Sequence, residues 1–205
     1  MSVTVNVADN VIPAFDGVFD AVMTHACTDF WLKGGRGSTK SSFVSLCIVL
    51  LLLSHPDANA VVVRRFSTTL RDSVYNQMLW AISTLGLEDW FTVTRNPMEM
   101  TYRPTGQKIV FRGMDDPLKM KGVKFTRGYC AVVWFEELDQ IETWEKVSSA
   151  LRSFRRGGDV FWTFDFNGGA LSADVNGQSV SLALQQDGFM RLILDDATLF
   201  LAPAT

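Results

Sequence analysis

KGGRGSTKSS, residues 33–42, lies between a short apolar run typical of a strand and a long apolar run typical of a helix. Glycines allow backbone N–H groups to converge on an anion, and the positive end of the following helix would point at the same place. Lys40 supplies a cation, and Ser41 supplies a hydroxyl of the kind that binds Mg²⁺. The stretch therefore predicts a phosphate-binding loop and a nucleoside triphosphate as its ligand.

The loop departs from the strict pattern G-x-x-x-x-G-K-[ST] at one position. Gly34 and the Lys40-Ser41 pair have the required spacing, but Thr39 stands where the pattern has its second glycine. Taken alone, the loop is as compatible with an ordinary strand-to-helix turn as with a phosphate site.

The composition narrows the classes of protein. The chain has 205 residues, of which 47% are hydrophobic and 20% charged, so it can bury a substantial core and is not disordered. A net charge of −3 excludes a globally basic nucleic-acid binder and leaves only local patches for DNA. The three cysteines form no C-x-x-C pair and the two histidines lack zinc-site spacing, which favours a reduced intracellular protein without structural zinc.

The sequence gives no sign of membrane targeting. Residues 1–20 have no basic segment before an apolar core, so they do not resemble a signal peptide. The most apolar run, Phe43 to Leu53, is about half as long as the roughly 20 residues of a spanning helix. We expect a buried helix there and no membrane partner.

Hydrophobic periodicity predicts an α/β fold. Continuous apolar runs typical of central parallel strands alternate with helical patterns. The predicted elements are strands at 29–32, 60–63, 129–135 and 160–164, helices at 41–54, 70–85 and 142–154, and a hairpin of 100–103 with 108–111. The fold class is that of a phosphate-loop protein, with a mainly parallel central sheet flanked by helices.

The end of the chain changes character. Two alternating runs flank Asn176-Gly177, a strong hairpin turn, and residues 189–194 and 198–202 form another pair of strand-like runs. We therefore expect two units: an α/β domain over residues 1–166 and a short all-β appendage over residues 167–205.

A pair of acids, Glu136-Glu137, directly follows the apolar run at 129–135. Carboxylates at the carboxyl end of a buried strand lie where α/β folds place their chemistry. ATP hydrolysis requires an anionic anchor for magnesium near Ser41 and a carboxylate that orients the attacking water. The alternative is a solvated helix N-terminus, where acids are also favoured, but the pairing with the loop favours a catalytic site.

Five segments together resemble the ATPase domain of phage large terminase subunits, the group typified by PBSX-like defective prophages. They are GGRGSTKSS (34–42), DANAVVVRRFSTTLRDSVY (57–75), PTGQKIVFRGMDDPLKMKGVK (104–124), VWFEELDQ (133–140) and RRGGDVFWTF (155–164). The resemblance covers about residues 10–165. It implies a motor that uses ATP and Mg²⁺ to thread double-stranded DNA through a portal into a capsid, working as a ring of subunits.

The resemblance assigns roles to residues. The Walker A loop would bind nucleotide, Lys40 and Glu137 would be catalytic, and Ser41 and Glu136 would hold the metal, with glutamate in place of the commoner aspartate. The expected nucleotide-binding residues are Gly34, Gly35, Arg36, Gly37, Ser38, Thr39, Lys40, Ser41 and Ser42.

The resemblance also suggests residues that couple hydrolysis to movement. Thr163 and Asn167 are the coupling candidates, although the Tyr-Asn-Pro-Pro turn of the family is absent here. Arg64 and Arg65 are candidates for sensing phosphate. A basic cluster would either contact DNA phosphates or form a solvated loop: Lys119, Lys121, Lys124 and Arg127.

The family normally continues with a nuclease domain, which we do not expect in this chain. The resemblance further implies the portal protein and the small terminase subunit as partners, and the host cytoplasm as location. Two other functions stay open. One is a catalytically silent remnant that binds portal, small subunit or DNA; the other is a helicase-like ATPase sharing the same core.

Overall fold

The fold is described from a computed structural model. It describes residues 10–33, 39–115, 120, 122–141, 143–154, 162–167, 172–175, 178–181, 190–194 and 197–202. The side chains of residues 33, 139, 144 and 162–202 are not described. Residues 3–7, whose sequence alternates like a short strand, lie outside these ranges.

A mainly parallel sheet forms the centre of the molecule, as predicted. The described residues contain eleven strands: β1 Asp29–Lys33, β2 Ala58–Arg64, β3 Phe91–Arg95, β4 Met98–Tyr102, β5 Lys108–Gly113, β6 Tyr129–Phe135, β7 Trp162–Asn167, β8 Ser172–Val175, β9 Gln178–Ser181, β10 Met190–Leu194 and β11 Ala197–Ala202. Nine of them, all except β8 and β9, join the central sheet in the order β10-β11-β1-β7-β6-β2-β5-β4-β3. Strands β11, β1, β7, β6, β2 and β5 run parallel.

Helices cover both faces of this sheet. They are α1 Asp16–Met23, α2 Lys40–Ser54, α3 Asn76–Thr84 and α4 Trp144–Phe154. Helix α2 is apolar nearly all round and buries residues 43 to 52, because α1 and α3 pack beside it on the sheet. Phe15, just before α1, stacks on Phe43 of α2 with ring centroids 4.4 Å apart.

The opposite face carries α4. The side chains of Val147, Leu151 and Phe154 pack on a second cluster of the sheet. Alternation along the strands explains the division: in β2, Ala60 and Val62 face the α2 side while Val61 and Val63 face the α4 side. This strand is buried at every residue, which is why its sequence is a continuous apolar run rather than an alternating one.

Parallel strands bring their carboxyl ends to one edge of the sheet. The strands β1, β2, β5, β6 and β7 therefore all end at this edge, with Lys33, Arg64, Gly113, Phe135 and Asn167 as their last residues. The connection from β1 through α2 to β2 passes over β7 and β6, which lie between the two strands. The later connections, from β5 to β6 and from β6 to β7, run in the opposite direction across the sheet. Open α/β sheets bind ligands where the direction of the connections changes in this way.

The structure departs from the predicted elements in two places. Strand β3 was not predicted; it pairs with β4 at the end of the sheet. The single helix predicted over residues 70–85 is a π-helical turn, Arg71–Tyr75, followed by α3. The predicted 100–111 hairpin is confirmed, with β4 and β5 antiparallel.

The C-terminal region is rich in strands, as predicted. Strands β8 and β9 form a separate antiparallel pair. Strands β10 and β11 instead extend the main sheet, because β11 lies parallel to β1. The division of the chain at residue 167 stays a prediction. Among the described residues, no helix is both long and apolar enough to cross a bilayer.

Two buried amides fix the amino ends of the strands. Asn59 donates to the carbonyls of Arg127 and Tyr129, at 2.9 and 3.1 Å, and accepts from the Lys108 amide at 2.8 Å. Gln107 donates to the carbonyls of Leu52, His55 and Ala58, at 2.9, 2.7 and 2.7 Å. Buried polar groups with such partners stabilise one register of β2 against β5 and β6.

Gly128 supplies a test of this packing. Its φ is +66°, and a Cβ placed on it would lie 1.9 Å from the Asp57 carbonyl oxygen, which is held by the Tyr129 amide at 3.0 Å. Gly86 is the matched control, since its φ is +67° but no atom lies within 4 Å of its Cβ position. We predict that Gly128→Ala lowers the free energy of unfolding by at least about 3 kcal/mol and Gly86→Ala by about 1 kcal/mol, measured by urea denaturation. Equal losses would contradict the packing described.

Candidate nucleotide and magnesium site

The first turn of α2 holds the end of the predicted phosphate loop. Residues 34–38 lie outside the described residues, so the structure places only the last part of the loop, from Thr39 to Ser42. Thr39 precedes the helix with φ 57° and ψ 7°, a left-handed conformation. Glycine enters this region without cost, whereas a β-branched residue does so rarely. The position therefore has the backbone that explains why the strict motif carries glycine there.

Lys40 and Ser41 begin α2 at the carboxyl edge of the sheet. Lys40 is half-buried, and burial lowers the pKa of its ammonium group. The Ser41 hydroxyl donates to Glu136 Oε1 over 3.5 Å, at the long end of hydrogen bonding. The structure thus brings together two predicted metal-binding residues that are 95 positions apart.

Ser42 lies differently from its neighbours. Its hydroxyl is 3.5 Å from Nε2 of Gln77 on α3, which also donates to Ser45 at 3.3 Å. The Ser42 hydroxyl therefore contacts α3, and its predicted contact with nucleotide stays a prediction.

Glu136 is held just beyond the end of β6. Its amide donates to the Val63 carbonyl at 2.9 Å, which continues the pairing of β6 with β2. Burial raises the pKa of its carboxyl group, while Arg64 and the Ser41 hydroxyl oppose that rise. With 15% of its side chain exposed, Glu136 is not a solvated residue at the start of a helix.

Glu137 is more open and has an unusual backbone. Its side chain is 42% exposed, and its carboxylate pairs with Nη2 of Arg64. The backbone is left-handed, with φ 56° and ψ 52°. Such a conformation costs roughly 1–2 kcal/mol for a residue with a Cβ, so the surrounding contacts must hold it.

Arg64 joins the two glutamates. It is the last residue of β2 and is buried, with Nε 2.8 Å from Glu136 Oε2 and Nη2 paired with Glu137. Its Nη1 donates to the Ser73 hydroxyl at 2.9 Å and the Thr69 carbonyl at 3.3 Å. Sequence reasoning proposed Arg64 as a phosphate sensor and missed this ion pair. The available signal was that β2 and β6 both end with charged residues at one sheet edge.

The segments that follow β2 and β5 contact each other beside Arg64. Asp115 accepts from the amide and the hydroxyl of Ser67, at 3.0 and 2.9 Å. Gly113 allows this approach, because a Cβ there would lie 2.4 Å from the Ser67 amide nitrogen. Neither Ser67 nor Asp115 was singled out from the sequence.

The residues predicted to couple hydrolysis to movement or to contact DNA lie towards different edges of the sheet. Asn167 is opposite Lys33 at the carboxyl end of β7, whereas Thr163 is opposite Asp29, four residues earlier. Arg127 is at the amino edge, 3.6 Å from Asp57 and donating to the Thr105 carbonyl at 3.1 Å. Lys124 is exposed, and Lys119 and Lys121 lie outside the described residues.

The donors present fit magnesium bound together with phosphate. Ser41 and Glu136 offer hard oxygen ligands, and the buried Glu136 Oε2 has no aligned hydrogen bond within the described residues, its contact with Arg64 being an ion pair. No group of three or more His, Cys, Asp or Glu side chains forms a metal cage in the part of the chain described. Mg²⁺ commonly needs no such cage, since it keeps several waters and shares substrate phosphates.

Comparison with known proteins identifies the family. The family model described as phage terminase large subunit matches residues 28–168, more than half of the chain. The chain belongs to this family, as the sequence analysis predicted.

Two curated relatives agree with this assignment. The chain is 36% identical over 152 residues to the terminase large subunit of Bacillus phage SPP1, covering 74% of this chain and 36% of that protein. It is 33% identical over 123 residues to the PBSX phage terminase large subunit of Bacillus subtilis, covering 60% of this chain and 27% of that protein. The chain thus matches about a third of the length of these relatives.

Solved structures confirm the fold. The N-terminal domain of the DNA packaging ATPase from bacteriophage phi29 has a TM-score of 0.62 at 12% identity, with 90% of this chain and 95% of that chain covered. The large terminase ATPase domain of Thermus phage P74-26 has a TM-score of 0.58 at 14% identity, with 75% and 65% covered. The predicted α/β class is therefore confirmed.

The buried ion pair of Arg64 and Glu136 predicts strong energetic coupling in the protein without nucleotide. Arg64→Met alone should lower the free energy of unfolding by about 3 kcal/mol, because it leaves a buried carboxylate without its counter-ion. Combined with Glu136→Gln, the loss should be smaller than the sum of the single losses by at least about 1 kcal/mol. Urea denaturation of the four proteins measures this coupling. Additive losses would show that the two side chains do not interact.

Proposed function

We propose that this chain is an ATPase domain whose hydrolysis of ATP drives double-stranded viral DNA into a capsid. The observation that carries the proposal is the meeting of Ser41, at the start of α2, with Glu136, after β6, at the carboxyl edge of the sheet. Family membership and the fold of packaging ATPases support the same function. Two solved structures of the same fold are of large terminase from a thermophilic bacteriophage, in complex with ADP and with ATP-gamma-S, which supports ATP as the ligand here.

Each residue of the site has a proposed task. The Gly34–Ser38 loop and the N-terminus of α2 would bind the phosphates through backbone amides, with Lys40 as the cation on them. Ser41 and Glu136 would hold Mg²⁺, which neutralises developing charge on the phosphates when bound. Glu137 would accept a hydrogen bond from the attacking water and so orient it.

The proposal that ATP hydrolysis moves DNA is supported by membership of the terminase family. Asn167 stays a proposed coupling residue, supported by its pairing with Lys33 at the carboxyl end of β7, and Thr163, four residues earlier along β7, stays the second candidate. Lys119, Lys121, Lys124 and Arg127 stay proposed DNA contacts. A ring of subunits, a portal, a small terminase subunit and a location in the host cytoplasm are part of the proposal, because the chain matches about a third of its curated relatives.

Phosphate release from Mg²⁺-ATP, measured with and without linear double-stranded DNA, tests the proposal. Lys40→Ala and Glu137→Gln should each lower the rate by at least about 100-fold, because phosphoryl transfer depends on charge neutralisation and on positioning of the water. DNA should raise the rate of the unaltered protein.

Exposed residues of α4 supply matched controls. Lys146→Ala and Glu145→Gln remove the same charges far along the chain from the loop, and both should leave the rate unchanged. A rate that survives both Lys40→Ala and Glu137→Gln would refute the assignment. Nucleotide binding without turnover would instead favour the catalytically silent remnant.

A further inference from the structure

Arg64 is the one positive group that the described structure places on both Glu136 and Glu137. It therefore occupies the two carboxylates to which the proposed function gives other tasks. Glu136 would hold the metal, and Glu137 would orient the water. The role of Arg64 in the filled site, inferred from these contacts, rests on that proposed function.

Charge and geometry oppose simultaneous occupancy. The Arg64 guanidinium lies 2.8 Å from Glu136 Oε2, and Ser41 lies 3.5 Å from Oε1 of the same carboxylate. A divalent cation held by Ser41 and Glu136 would thus share one buried carboxylate with an arginine. Repulsion between cations is strong in a partly buried site, where the effective dielectric constant is far below that of water.

The structure offers Arg64 a second set of partners. Its Nη1 already donates to the Ser73 hydroxyl and the Thr69 carbonyl, at the turn that leads into α3. This segment is a π-helical turn at Arg71–Tyr75, a feature often found at functional sites. The guanidinium can therefore leave the carboxylates without losing all its hydrogen bonds.

The backbone of Glu137 points to the same change. Its left-handed conformation, φ 56° and ψ 52°, is strained for a residue other than glycine, and its carboxylate is tied to Arg64. Release of that ion pair would allow Glu137 to relax and to turn towards the water. Strain of this kind is often stored in switch regions.

We propose that Arg64 is a positioning residue that competes with the divalent cation for Glu136. In the protein without nucleotide, Arg64 holds Glu136 and Glu137 together; when the metal and nucleotide bind, Arg64 moves towards Ser73 and releases both. The sequence interpretation of Arg64 as a phosphate contact makes the opposite prediction, since such an arginine would assist nucleotide binding.

Two roles of Arg64 are to be separated: a competitor of the divalent cation and a contact to phosphate. The test is binding of a fluorescent ADP analogue, titrated with Mg²⁺ at a fixed nucleotide concentration. Arg64→Gln removes the competing charge and keeps an amide, so the Mg²⁺ concentration at half-saturation should fall on the order of tenfold. Arg95→Gln is the matched control, because Arg95 is exposed and ends β3, the last strand of the sheet, three strands away from β2. This variant should keep the Mg²⁺ dependence of the unaltered protein.

A second variant keeps the proposal testable if Arg64→Gln does not fold. Arg64→Lys keeps the charge but lacks the fork that reaches both carboxylates, so its half-saturation should fall by roughly threefold. An unchanged or higher Mg²⁺ requirement in folded Arg64→Gln or Arg64→Lys would overturn the proposal. So would weaker ADP binding without Mg²⁺, because that result would make Arg64 a phosphate contact.

The Mg²⁺ titration and the phosphate-release assay together distinguish this inference from the proposed function. Binding of Mg²⁺-ADP without hydrolysis of ATP, together with the Arg64 shift, would leave Arg64 as a competitor and reject the ATPase. Hydrolysis in the unaltered protein without the Arg64 shift would reject this inference alone. Failure of the unaltered protein to bind Mg²⁺-nucleotide would reject both.

Discussion

The arrangement at the carboxyl edge depends on one buried arginine. Arg64 ends β2 and holds Glu136 and Glu137, which follow β6, so two adjacent strands are joined beyond their last ladder hydrogen bonds. The contribution of such a pair is mainly geometric, because desolvation offsets much of its attraction. Its effect is to fix two carboxylates beside the N-terminus of α2, where Ser41 meets Glu136.

Much of the fold could be predicted from the sequence because burial leaves a direct pattern. Strand β2 and helix α2 are covered on all sides, so both are continuous apolar runs that differ in length and in their flanking turns. Strand β3 was missed because its last four residues are exposed, which removes the alternation that marks a half-buried strand. The pairing of β11 with β1 joins distant segments, and no local pattern encodes it.

The candidate site was predictable in part. Lys40, Ser41, Glu136 and Glu137 carry the motif chemistry, and topology brings them to one edge, as expected of parallel strands. The role of Arg64 was not predictable, since a strand-end arginine is equally compatible with phosphate, solvent or an ion pair. Only the register of β2 against β6, with Val63 opposite Phe135, places its guanidinium on the glutamates.

A crystal structure with Mg²⁺ and a non-hydrolysable ATP analogue would show whether nucleotide and metal occupy the carboxyl edge between α2 and β6. We expect the metal beside Ser41 and Glu136, the phosphates on Lys40, and the Arg64 guanidinium separated from Glu136. Nucleotide bound elsewhere, or a metal beside an Arg64–Glu136 pair that is still intact, would refute this arrangement.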